Sequence, residues 1–275
     1  MTKNNSFKKN PTLIIMKREL SSYFTGPIAY IVTGLFLIIS GITFFSTYFI
    51  QGSAELRGFF GLLPLLFSFF VPALTMRLFA EERRSGSIET LLTLPVTEVN
   101  VVAGKFLAAF VEVLVMVSPT LFYVVTAVIF GNPDFGPIVG GYLGIVFLSA
   151  CFASIGVFAS SITKNQIIAF FTAFIICIVL TMIDSFLVFL PTSFVDFFAY
   201  ISANAHFTSI SKGIIDTRDL LYFASITTAR FIDLKTSAKK SFALSSAFAA
   251  SSFTLTLITA GFALNPKNPA EPSSN

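Results

Sequence analysis

Five apolar runs, each long enough to cross a bilayer and nearly free of charge, constrain this chain more than any other feature. They extend over about Pro27–Ile50, Phe59–Met76, Phe106–Phe130, Ile138–Ser160 and Ile167–Leu190. A hydrocarbon core about 30 Å thick is crossed by roughly 20 helical residues at about 1.5 Å each, because a helix satisfies its own backbone N–H and C=O groups. Composition agrees: of 275 residues, 55% are hydrophobic and 12% charged, outside the range of a soluble domain. The expected fold class is an all-α polytopic membrane protein. Pro27 suits a first helical turn, whereas Pro64 and Pro72 remove backbone donors inside the second run and are kink sites.

Basic residues alternate between the connections. Lys3, Lys8, Lys9, Lys17 and Arg18 precede the first run, and Arg77, Arg83, Arg84 and Lys105 lie between the second and third. The Gln51–Gly58 turn has only Arg57, the Gly131–Pro137 turn has none, and Lys164 follows the fourth run. The positive-inside rule places the amino terminus and the second connection in the cytoplasm. No apolar h-region with a small-residue cleavage site follows Met1–Leu20 directly, so a cleaved signal peptide is not expected.

Beyond the fifth run, Pro191–Asp219 is expected outside, its Phe197, Phe198, Tyr200, Asp216 and Asp219 suggesting a structured or interfacial segment. Two stretches compete to be the sixth span. Leu220–Ala229 is half a span, stopped by Arg230 and Asp233, and 242–264 is long enough but rich in Ser, Thr and Ala. The chain divides into an amino-terminal segment with an interfacial helix (1–26), a transmembrane domain (27–229) and an atypical carboxyl segment (230–275) holding a candidate last span and a Pro-rich tail.

Several chemistries find no support. The net charge of +4 forms no continuous basic stripe, so nucleic acid is not expected as a partner. Cys151 and Cys177 lie inside apolar runs and read as packing residues, and His206, the sole histidine, has no His or Cys neighbour at metal-ligand spacing. No catalytic, metal or cofactor site is expected on this chain. Gly104 and Lys105 lack both the preceding glycine spacing and the following hydroxyl of a phosphate-binding loop.

The connection Ala80–Phe106, AEERRSGSIETLLTLPVTEVNVVAGKF, is the most informative stretch. Ser87 can cap a short helix, Glu89 favours its positive end, Ile88, Leu91 and Leu92 form one apolar face, and Pro95 stops it. On periodicity alone such a helix docks equally well into a partner groove or onto lipid. The order of two Glu, a Gly, then ETLLTLPV and GKF resembles the permease subunits of ABC-2-type ABC transporters. That resemblance implies a coupling helix between spans two and three, with Glu81, Glu82, Gly86, Glu89, Leu91, Leu92 and Pro95 contacting a separate ATPase subunit that holds ATP and Mg. Met16–Ile31 likewise resembles the family's elbow helix, and a second permease subunit is implied around a shared path. Residues Ile14–Thr228 are similar to gliding-motility permeases of Bacteroidetes, and the sequence departs from that narrower pattern from Ala229 onward.

Two intramembrane features stay open. Gly136, Gly140 and Gly144 form a smooth stripe suited to helix–helix approach, either between subunits or, for the latter two, within one. Glu112 is the only acid well inside a run: a functional carboxylate, or one that reaches interfacial water or a local partner two turns from Lys105. Asp184 reads as a boundary residue or polar gate. The alternatives to a permease are an ion-coupled secondary transporter, for which Glu112 is the only candidate site, and a non-transporting membrane scaffold.

Overall fold

The computed structural model describes residues 10–50, 56–87, 97–131, 133–186, 200–214 and 216–234. All elements among them are helical. In chain order they are α1 (Pro11–Thr25), α2 (Pro27–Ile50), α3 (Arg57–Thr75), α4 (Arg77–Ser85), α5 (Glu98–Val117), a 3-10 turn (Ser118–Thr120), α6 (Leu121–Phe130), α7 (Phe135–Ile162), α8 (Gln166–Phe186) and α9 (Ala203–Ser211). A last helix, α10, covers 217–234.

Five helical stretches have the length and composition to cross a membrane: Pro27–Phe49, Arg57–Ser85, Glu98–Phe130, Phe135–Ile162 and Gln166–Phe186. Each corresponds to one apolar run. The second and third reach further towards residues 88–96 than hydropathy predicts, because charge does not end a helix whose charged side chains find partners. Arg77 pairs with Glu81 one turn on, Nε to Oε2 at 2.9 Å. The start of α5 is fixed by Thr97, whose Oγ1 accepts from the Asn100 N–H at 3.4 Å.

Pro64 and Pro72 both lie inside α3, which remains one helix. The break falls instead at Pro119, where the missing N–H shortens the ladder to a 3-10 turn. Ser118 Oγ donates to the Val115 carbonyl at 2.8 Å, the group a residue-119 amide would otherwise reach.

α3 and α7 are mostly buried and form the centre, while α2 and α8 are mostly exposed. The central pair approaches closely because glycine removes side-chain bulk: a Cβ on Gly141 would overlap the Phe60 ring, and one on Gly156 the Thr75 side chain. Ser68 of α3 meets Thr181 of α8 at 2.9 Å. The outward faces are apolar, including Ile31, Leu35 and Ile38 of α2 and Phe171, Ile175 and Val179 of α8. Such faces are suited to lipid rather than water.

Helix α10 corrects one expectation. Arg230 and Asp233 do not stop it; they bond to each other at 3.4 Å, and the Arg230 guanidinium rests 5.3 Å from the centre of the Phe158 ring. At about 1.5 Å per residue α10 is roughly 27 Å long. Its first part packs beside residue 201, through Tyr222 Oη to the Ile201 carbonyl at 2.5 Å, and its last turn places Phe231 against Phe106. The competing stretch 242–264 lies outside the described residues.

Candidate functional site: a polar clasp flanking residues 88–96

The helix ladder is interrupted where α3 gives way to α4 at Met76, and an interruption between two helices leaves carbonyls and N–H groups in need of partners. Side chains from three other helices supply them. Tyr23 Oη of α1 donates to the Leu74 carbonyl at 2.8 Å. Ser160 Oγ of α7 donates to the Met76 carbonyl at 2.9 Å and accepts from the N–H groups of Phe79 and Ala80 at 3.0 and 3.1 Å. Lys105 Nζ of α5 donates to the Leu78 carbonyl at 2.7 Å. Burial, reinforced by the nearby carboxylates of Glu112 and Glu19, pushes the Tyr23 phenol well above its ordinary range, so it is a proton donor at any working pH.

Lys105 is the centre of this arrangement. It is fully buried, and its ammonium lies 2.9 Å from Glu82 Oε1 of α4 and 3.2 Å from Glu19 Oε1 of α1, 5.0 Å from the centre of the Phe79 ring. Arg18 completes the cluster, bonding Glu19 at 2.6 Å and Glu82 at 3.0 Å. Two cations thus face two carboxylates, which offsets the several kcal/mol, in order of magnitude, that an unpaired buried charge costs. The preceding residue makes the approach possible: a Cβ on Gly104 would lie 2.8 Å from Ile15 Cβ and 2.9 Å from the Thr12 carbonyl oxygen. Thr12 Oγ1 also donates to Asn100 Oδ1 at 3.2 Å, so α1 is fastened along the first turns of α5.

The structure separates the residues grouped by sequence. Glu81 is half exposed and bonded to Arg77, whereas Glu82 turns inward to Lys105 and Arg18. Gly86 takes the left-handed conformation that ends α4, at φ 73°, where a side chain is disfavoured. Glu89, Leu91, Leu92 and Pro95 lie outside the described residues. Sequence reasoning missed Lys105, Glu19, Tyr23 and Ser160 as working residues. The one available signal was the GKF triplet, whose Gly104, Lys105 and Phe106 contact Ile15, Glu82 and Phe231 respectively.

Elsewhere, Glu112 is buried on the same face of α5, two turns beyond Lys105, and neither carboxylate oxygen has a hydrogen-bond partner among the described residues. The glycine stripe on α7 receives α9 of the same chain. A Cβ on Gly140 would overlap the Ile210 carbonyl and one on Gly144 would lie 3.0 Å from the Phe207 ring, whereas one on Gly136 meets open space. Asp184 accepts from Asn204 at 3.1 Å. His206 bonds Asp219 at 2.6 Å and stacks on Tyr222. Cys151 and Cys177 are both free thiols, fully buried. Among the described residues no group of three or more His, Cys, Asp or Glu is placed to hold a metal ion.

What the clasp can do is mechanical. Residues 88–96 enter through α4 and leave through α5, and the Glu82–Lys105 contact ties those two flanks to each other and to α1. No curated protein matches the sequence. The family model described as ABC-2 family transporter protein matches residues 13–264, which takes in every described helix from α2 to α10 and nearly all of α1. A match over most of its length, on a multi-pass arrangement of apolar helices, places this chain in the ABC-2 transporter family.

Proposed function

We propose that the chain is the membrane-spanning permease subunit of an ATP-driven transporter, with ATP and Mg bound and ATP hydrolysed on a separate ATPase subunit. Family membership supports the general role, and the observation that carries the mechanism is the clasp. A segment that receives force from a motor must have flanks that move as one body, and Glu82 and Lys105 join the flanks of residues 88–96 at 2.9 Å. In this reading Glu89, Leu91, Leu92 and Pro95 form the docking surface, with Glu81 and Gly86 leading into it. Glu82 acts inside the subunit, holding α4 to the elbow helix α1.

The topology proposed with it has the amino terminus and residues 88–96 in the cytoplasm of a bacterial inner membrane. Helix α10 serves as the sixth span, since it runs from the Tyr222 end to the Phe106 end of the bundle. Two permease subunits assemble around a shared path. The setting proposed is export or surface machinery, on the resemblance of Ile14–Thr228 to gliding-motility permeases read from the sequence alone.

The test is co-purification of the tagged chain in gentle detergent or nanodiscs, with mass spectrometry and an ATPase assay. A stoichiometric nucleotide-binding partner, lost when 88–96 is altered, is the expected result; a pure chain without one points to the scaffold or the secondary transporter. The secondary-transporter reading has one observation in its favour, the carboxylate of Glu112, which has no hydrogen-bond partner among the described residues. For the surface-machinery setting, a deletion strain that spreads normally removes the motility reading.

A further inference from the structure

Helix α9 sits at the end of the bundle away from the clasp, against Gly140 and Gly144 of α7, and is tied sideways to two other helices. Asn204 Nδ2 donates to Asp184 Oδ2 of α8 at 3.1 Å, and His206 Nδ1 lies 2.6 Å from Asp219 Oδ1 of α10. The second imidazole nitrogen, Nε2, lies 3.0 Å from the backbone carbonyl oxygen of Tyr200. Both ring nitrogens therefore face oxygen atoms, and the carbonyl can only accept.

A neutral imidazole has one N–H. Given to the carbonyl, it leaves the Nδ1 lone pair against the Asp219 carboxylate; given to the carboxylate, it leaves the Nε2 lone pair against the carbonyl. Either way two lone pairs meet at hydrogen-bond distance. One additional proton, shared between Nδ1 and Asp219 Oδ1, satisfies both contacts. The site is sheltered: the His206 and Asp219 side chains are 11% and 9% exposed, and the ring stacks on Tyr222 at 4.1 Å between centres. Tyr222 is itself fixed by its bond to the Ile201 carbonyl, and a cationic ring gains from an aromatic face beneath it.

We propose that the His206–Asp219 couple is a proton-binding site, and that the bound proton latches α9 to α10. Among the described residues, the other charged and titratable groups around it are Tyr200 before α9 and Lys212 at its end, Asp184 from α8, and Asp216, Arg218 and Tyr222 from the start of α10. Helix α3 contributes Arg57 at its first residue, and α7 contributes no acidic or basic residue, only Tyr142 and Cys151. With the proton bound, the pair is neutral overall and both acceptors are satisfied. When the proton leaves as pH rises, the pair carries one negative charge and one contact reverses from donor–acceptor to lone pair against lone pair. The latch is thus closed on the acid side and released on the alkaline side. In the topology proposed above this site faces the outer compartment, and the latch stands whether or not that assignment and the ATPase partner do.

The chain has a single histidine, so ¹⁵N-histidine labelling reports on His206 alone when the protein is purified through a histidine-free tag into nanodiscs. Imidazole signals and hydrogen exchange of the α9 amides are followed together across a pH titration. The expected result is that loss of the second ring proton coincides with a rise of about tenfold or more in α9 exchange, after correction for base catalysis, equivalent to one charge-assisted hydrogen bond. In Asp219→Asn the amide donates to Nδ1 and the neutral ring donates from Nε2 to Tyr200, so α9 stays protected and the pH dependence disappears. A merely structural role for Asp219 would instead loosen α9 in that variant at every pH. Wild-type protein whose ring changes protonation with no change in α9 exchange, or whose α9 is protected equally at all pH values around a singly protonated ring, overturns the proposal without bearing on the permease reading.

Discussion

Lys105 Nζ stands 2.9 Å from Glu82 Oε1, joining the helix that enters residues 88–96 to the helix that leaves them, and it does so with no exposed side-chain surface of its own. Replacing Lys105 with Met removes the buried cation and leaves Arg18 as the remaining partner of both Glu82 and Glu19. The expected loss is about 3 kcal/mol of stability or less, the low end of the cost of breaking a buried pair, because Arg18 still bonds both carboxylates. Thermal unfolding in detergent measures it. Adding Glu82→Gln to Lys105→Met should recover part of the loss; a fully additive double variant would show that the two residues are not coupled.

Ser160 serves three backbone groups with one hydroxyl, so Ser160→Ala strands the Met76 carbonyl and the N–H groups of Phe79 and Ala80. A loss of about 2 kcal/mol or more is expected, with the cost concentrated at the α3–α4 junction. Amide exchange at Phe79 and Ala80 should accelerate well before the rest of α4, and unchanged protection there would contradict the assignment.

Gly104→Ala places a methyl group within 2.9 Å of α1 backbone and side-chain atoms, so α1 must shift away from α5. Overpacking of this kind costs about 1–3 kcal/mol. Gly136→Ala is the matched control, since a Cβ there meets open space and the change should be neutral to within about 0.5 kcal/mol. Equal effects in the two variants would mean that the α1–α5 approach is looser than the structure shows.

Glu112→Gln keeps size and removes the capacity for charge. Because both carboxylate oxygens are buried without a partner among the described residues, the variant should be as stable as the parent or more so. A drop in melting temperature would reveal a partner that the carboxylate needs. Transport assayed in the same variant then separates the two open readings: an ion-coupled transporter loses activity, whereas an ATP-driven permease keeps it.

The five apolar helical stretches are legible in the chain alone, since length and hydropathy are sums along it and the bilayer thickness sets the length required. Two further local signals, the Pro119 interruption of the third stretch and the Thr97 cap, are single residues whose effect shows only in the helix ladder around them. Which charges face each other follows from how the helices pack. Glu19 and Lys105 are 86 positions apart, and hydropathy treats Lys105 as a boundary marker rather than a buried partner. The glycine stripe was visible as a place of close approach, but its occupant, α9, follows from how the bundle closes. Arg230 and Asp233 looked like a helix stop because each charge is counted alone in a sequence; in the bundle they neutralise each other beside Phe158, and α10 runs on. Hydrophobic length is a property of a segment, whereas the free energy of a buried charge is a property of its neighbours, and only folding assigns those.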